Sequence, residues 1–163
     1  MKSWFGVGAV VLLAALACGS GEERTVEMED GGTASVHGDD EGVRVRGTTE
    51  DGEKYEIRVG SKAELPDDFP DDVPVHPGAS VEASMSMPGE GQMITFATQS
   101  APDAVYRFYK DGLAKQGWSI EAEMNLGGQR MLSGRKGDRV ASVQLVEGDE
   151  GGTRIVVTVA EDD

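Results

Sequence analysis

The sequence predicts an α+β fold: an antiparallel sheet of chain order ββαββββ with one helix on a face, preceded by a small all-β meander. Three observations lead there. Short apolar residues alternate with polar ones in run after run, the period-two signature of half-buried strands. Gly-containing acidic turns separate those runs at short spacing, which favours antiparallel neighbours. A single stripe, Val105, Phe108, Tyr109 and Leu113, carries helical spacing instead.

The meander spans 25–60. Val26 and Met28 point one way before Asp30-Gly31-Gly32 turns the chain; Ala34 and Val36 follow. Val43 and Val45 come after the acidic turn 38–42, and Tyr55, Ile57 and Val59 after Asp51-Gly52. Four strands with one face of few, small apolar residues cannot stand alone, so this unit is expected to lie on the next domain or on another protein. Glu29-Asp30-Gly31 recurs as Glu50-Asp51-Gly52; chance recurrence of acidic turns in a Gly-rich chain explains it more economically than duplication.

Residues 61–79 contain ELPDDFPDDVPVHPGA. Pro66, Pro70, Pro74 and Pro77 exclude a regular helix and bias their predecessors to extended backbone. Leu65, Phe69, Val73 and Val75 recur among the aspartates, a rhythm a free linker would not keep. The expectation is a strap with its apolar residues pinned to the following domain and its aspartates in water.

That domain covers 80–160. Val81, Ala83, Met85 and Met87 alternate with polar residues, Pro88-Gly89-Glu90-Gly91 turns, and Met93 to Thr98 returns. Ser100 with Asp103 has capping-box spacing, and Pro102 is tolerated in a first turn. Arg107, Lys110, Asp111 and Ala114 face away from the apolar stripe, and Gly117 ends the helix. Trp118, Ile120, Ala122 and Met124 then alternate on one face. Strands at 129–135, around Ala141, Val143 and Leu145, and around Ile155, Val157 and Val159 close the chain.

The chain begins Met1-Lys2-Ser3, then runs apolar from Trp4 to Ala17. A charged start, a short apolar core and small residues at its end make a secretory signal over 1–17. Fewer than the roughly 20 residues needed to span a bilayer, it is expected to be removed rather than kept. The only cysteine, Cys18, stands at its end in LLAALACGSGEE and opens a flexible tether, 18–24.

The 163 residues hold 15 Lys+Arg against 30 Asp+Glu, a net charge of −15; losing Lys2 with the leader takes this to −16. Residues 22–72 carry 17 acids and 6 bases, and 73–163 carry 13 and 8. Such a surface repels phosphates, and it shows no basic patch interleaved with aromatics, so no nucleic-acid partner is expected.

No catalytic constellation emerges. Gly117-Trp118-Ser119 lacks the second glycine of a nucleophile elbow, having Glu121 there. The two histidines, His37 and His76, read as a solvated strand-end residue and a partly buried strap residue. Asp67, Asp68, Asp71 and Asp72, and Asp39, Asp40 and Glu41, are dense enough in oxygen to suit Ca²⁺ but match no EF-hand loop. They read first as solvated loops, with a Ca²⁺-stabilised module as an alternative and an extracytoplasmic enzyme with a non-obvious site as another. Met85, Met87 and Met93 read as core filling. Gly127-Gly128 and Gly151-Gly152 lie between strands, not before a helix, so neither forms a phosphate cradle. No cofactor is expected.

Ala15-Leu16-Ala17-Cys18 resembles the lipobox of bacterial lipoproteins, although Ala15 stands where Leu is commoner and Leu16 where a small residue is commoner. The resemblance implies a diacylglyceryl thioether on Cys18, cleavage before it, and attachment of the mature chain to a membrane. Lone-cysteine chemistry agrees, since acylation removes a reactive thiol from an oxidising compartment. Gly19 rather than Asp at the next position favours, by analogy, the outer membrane of a two-membrane host. The strap and the phrase YRFYKDGLAKQGW resemble small α+β domains of uncharacterised bacterial cell-envelope proteins, over about 64–160. Together these imply a lipid-anchored envelope protein that acts by binding, its partner an envelope protein met by strand addition at the meander edge.

Overall fold

The structure, a computed structural model, describes residues 24–27, 31–61, 63–148 and 151–162. Among these described residues, ten strands form one antiparallel sheet with one helix on a face. The strands are β1 (Arg24–Glu27), β2 (Thr33–Asp39), β3 (Gly42–Thr48), β4 (Lys54–Gly60), β5 (Ser80–Met87) and β6 (Gly91–Thr98). After α1 (Pro102–Lys115) come β7 (Ser119–Leu126), β8 (Gln129–Lys136), β9 (Arg139–Glu147) and β10 (Thr153–Glu161).

Across the sheet the order is β1-β2-β3-β4-β5-β6-β10-β9-β8-β7, which does not follow the chain order ββαββββ. The helix is the reason. It packs over β7, β8 and β9 and delivers the chain to the far edge, from which three short turns lead back until β10 pairs with β6. Nor is the meander a separate layer. Strand β4 pairs directly with β5, Ile57 opposite Met85, so the two units share one continuous backbone ladder.

The helix has the stripe its spacing predicts: Val105, Tyr109 and Leu113 are fully buried, with Phe108 packed at the margin. Its start differs from expectation. The N-cap is Ala101, which has no side-chain cap bond, and the Ser100 carbonyl instead accepts from the Thr153 hydroxyl at 2.7 Å. Pro102 needs no N–H partner, so the missing cap costs little there. Gly117, at φ 86°, ends the helix in the left-handed region, and Trp118 N–H bonds back to Leu113 O at 3.0 Å.

Beneath the helix lie Ile94 and Phe96 of β6, Ile155, Val157 and Val159 of β10, Ala141, Val143 and Leu145 of β9, and Leu132 of β8. Each large side chain buried here contributes about 1.5–3 kcal/mol.

Pairing register fixes which side each residue takes. On the helix side, called the front, one row of successive partners runs Arg44, Arg58, Ser84, Ile94, Val157, Val143, Leu132. On the rear, the neighbouring row runs Val45, Ile57, Met85, Met93, Thr158, Ser142, Ser133. The apolar side therefore changes over along the sheet. Strands β6 and β8–β10 turn it to the front, whereas β2–β4 turn theirs to the rear, away from the helix.

Two register shifts adjust single residues. One lies between Val81 and Ala83, the other between Ile120 and Ala122. The second separates residues expected to share a face: Ile120 lies in the front row beside Gly134, while Ala122 and Met124 go to the rear opposite Ser133 and Met131. The extra residue of a bulge reverses the alternation beyond it.

The strap crosses the front. Val73 is buried in the core, and Leu65 and Phe69 pack against its margin, as expected; Val75 is exposed. Pro74 sits on the helix where Gly112 leaves room, since a Cβ at 112 would lie 2.9 Å from Pro74 Cγ. Gly112→Leu is expected to lift the strap and destabilise the fold by about 1–3 kcal/mol, the usual cost of overpacking. Limited proteolysis checks it: cleavage between 65 and 76 should accelerate. Unchanged cleavage would mean that the strap does not rest on the helix.

Candidate binding surfaces

Cys18, the one site residue the sequence singles out, lies outside the described residues, as do the expected leader and the expected tether up to residue 23. Among the described residues, no helix is long and apolar enough to cross a membrane.

The front of the meander carries the densest charge network. Glu56 sits among three guanidinium groups: Arg46 Nε donates to it at 2.6 Å, an Arg58 terminal nitrogen at 2.9 Å, and Arg44 Nε lies 3.7 Å away. Burial alone would raise the Glu56 carboxyl; hydrogen bonds from Arg58 and Arg46 outweigh it and hold the group below its ordinary value. Arg58, only 8% exposed, reaches Glu64 of the strap at 3.5 Å with its other terminal nitrogen. His37, Arg44 and Arg58 line a recess of about 190 Å³ that also takes in Asp39. His37 is exposed there, beside its strand partner Arg44. The bases in this recess are therefore largely matched by carboxylates from the meander and strap.

His76, within the strap, sets its ring edge-on to Phe108 of the helix at 4.9 Å. Its Nδ1 is buried without a hydrogen-bond partner. The Tyr109 hydroxyl is buried nearby and approaches the His76 backbone without forming a well-aligned bond; burial pushes this phenol up to about 12.

Asp72 corrects the expectation that the strap's aspartates face water. Its carboxylate accepts from Lys136 Nζ at 2.7 Å and from both terminal nitrogens of Arg139, at 3.1 and 2.5 Å. Its carbonyl accepts from Trp118 Nε1 at 2.8 Å, and the Arg139 guanidinium lies 5.1 Å from the indole centroid. Only Asp67, Asp68 and Asp71 remain exposed. Among the described residues no three His, Cys, Asp or Glu side chains are grouped to hold a metal ion.

The methionines also differ from expectation. Met85 and Met93 are strand partners on the rear, and Met93 is 41% exposed, so neither fills the core under the helix. At the far edge, Met124 and Leu126 are 47% and 66% exposed and share a shallow rear depression with Met131 and Val146. On the front of the same edge, Glu123 accepts from Lys110 Nζ at 2.8 Å and from the Tyr106 hydroxyl.

The sheet has two outer strands. Strand β7 is blunted by its bulge and by Glu121 and Glu123, a familiar protection against unwanted pairing, whereas β1 (Arg24–Glu27) carries no such bulge. Only the general edge location was legible beforehand; Asp72 and the rear face left no local signal in the sequence.

A family profile described as START domain-like matches residues 79–152, from the end of the strap to the β9–β10 loop and less than half of the chain. No curated protein and no solved structure matches this sequence. Over 79–152, then, the chain is similar to START-like domains, and the meander and strap lie outside the likeness.

Proposed function

We propose that this chain is a lipid-anchored protein of a bacterial cell envelope, held to the membrane by acyl chains on Cys18, whose domain works by binding rather than catalysis. The observation that carries this reading is the single cysteine at the end of a short apolar leader, followed at once by an acidic, Gly-rich tether. Two acyl chains suffice for stable attachment, at about 0.8 kcal/mol per buried CH₂. The partial likeness to a START domain-like family, a class often associated with ligand binding, supports the binding half of the reading.

The partner in this reading is another envelope protein that adds a strand at β1. Among the described residues β1 is paired on one side only, by β2, and it begins six residues after Cys18. Six residues reach at most about 20 Å, so an added strand would lie close to the bilayer. The outer membrane is the favoured location if the host has one.

Metabolic labelling with a radioactive fatty acid tests the anchor. Label is expected on the native chain and absent from Cys18→Ala, which should leave the membrane fraction. Label retained on Cys18→Ala would sink the lipoprotein reading.

A further inference from the structure

We propose that Met85, Met87 and Met93 form a site for a soft monovalent metal ion, Cu(I), on the rear of the β5–β6 hairpin. This does not depend on the anchor or on strand addition at β1.

The first ground is where the thioethers lie. Met85 of β5 is the direct partner of Met93 of β6, and Met87, two residues further along β5, takes the same side. Direct partners on one face have Cβ atoms about 4.5–5.5 Å apart, and diagonal neighbours stay within reach of long side chains. Met87 is opposite Gly91, which has no side chain to stand between it and Met93. Methionine is unbranched and flexible, so sulfur atoms from these three positions can gather on one ion.

The second ground is their surroundings. None of the three belongs to the core under the helix or packs at its margin. Met93 is 41% exposed, and Met85 and Met87 are partly so. Core filling therefore does not account for them, and an incoming ion reaches them from the rear. The adjoining rear positions are Ile57, Thr158, Ala83 and Thr95, none of them charged.

The donor set selects the ion. Thioether sulfur is a soft, uncharged ligand and suits Cu(I), whereas Ca²⁺ and Mg²⁺ require oxygen and zinc is held by thiolate, imidazole or carboxylate. Among the described residues no such group of His, Cys, Asp or Glu is assembled. Three neutral donors leave the positive charge of the ion uncancelled, and the net charge of −15 on the chain supplies an attractive field for it. The other rear pair, Met124 and Met131, has no third thioether beside it among the described residues. It lies at least three strand spacings from β6, roughly 14 Å, and so serves as an internal control.

Nuclear magnetic resonance of the full chain in detergent, carbon-13 labelled at its methionine methyl groups, reads each thioether separately. The chain carries Cys18→Ser so that its only thiol cannot take the metal, and Cu(I) is added without oxygen in buffer containing acetonitrile. One equivalent is expected to shift the Met85, Met87 and Met93 methyl signals together and to leave Met124 and Met131 in place, while one equivalent of Ca²⁺ shifts none. Met85→Leu and Met93→Leu should each weaken binding at least ~10-fold against a chromophoric Cu(I) chelator, since even outer-shell partners of a metal are worth that much. Met131→Leu should leave it unchanged. Leucine keeps the side-chain volume, and titration of the parent chain decides the proposal even if a variant fails to fold. Unmoved signals from the three methionines at one equivalent would overturn it. So would Cu(I) that moves Met124 and Met131 equally, or an affinity indifferent to both leucine substitutions on the hairpin.

Discussion

Phe96→Ala is expected to lower the free energy of unfolding by about 3–5 kcal/mol, the range for removing a large aromatic side chain from a packed core. Phe96 is 1% exposed, lies between Val81 of β5 and Ile155 of β10, and points to the front beneath the helix. The loss combines two effects: apolar surface returns to water, and the cavity left between helix and sheet cannot collapse fully because β5, β6 and β10 are fixed by their ladders. Domains of this size are stable by about 5–15 kcal/mol, so the variant approaches the unfolding threshold. Urea denaturation checks it. The midpoint should fall steeply with the slope unchanged, while Phe96→Leu, which keeps most of the volume, should cost less than about 1.5 kcal/mol. A midpoint shift below 1 kcal/mol for the alanine variant would place Phe96 outside the core.

The second large effect belongs to Asp72, which joins the strap to β8, β9 and Trp118. Hydrogen bonds from Arg139, opposed by desolvation and assisted by Lys136, bring its carboxyl from 3.8 to about 2. Its side chain is 19% exposed, so solvent screens the pair only partly. A carboxyl lowered by folding stabilises the native state when ionised. That contribution, about 2 kcal/mol by linkage, is fully present above the unfolded value near 4 and is lost as pH falls through the folded value near 2. Asp72→Asn should therefore be about 2 kcal/mol less stable than the native chain at pH 7. About half of that gap should remain at pH 3, and little at pH 2. Parallel urea titrations at the three pH values test this. A gap that does not shrink on acidification would show that Asn at 72 acts through lost packing rather than lost charge.

Much of the local structure was legible. Alternation located all the strand-forming runs, and the spacing of Val105, Tyr109 and Leu113 located the helix and its buried side. The proline rhythm identified the strap, and Val73 is buried as that rhythm required. Ser100 misled because its spacing to Asp103 imitates a capping box, whereas proline's fixed φ lets Ala101 begin the helix uncapped. Asp72 was indistinguishable from Asp71, its neighbour in an acidic run. Only the approach of Lys136 and Arg139, more than sixty residues on, separates them.

What the sequence determined by itself is local: which residues are extended, which stripe of the helix is apolar, and where the chain turns. These follow from hydrophobic period, proline and glycine, whose effects act within a few residues. The tertiary structure alone decided the order of strands and the side to which each apolar row points. A period-two pattern says that Val45 and Val43 share a face but carries no sign for that face. The sign comes from pairing across the sheet, where Ile57 meets Met85 and places the meander's apolar side opposite the helix. A bulge before Ala122 then reverses the alternation at the far edge. Both are long-range choices of register, settled by the free energy of the whole packed sheet rather than by any one segment.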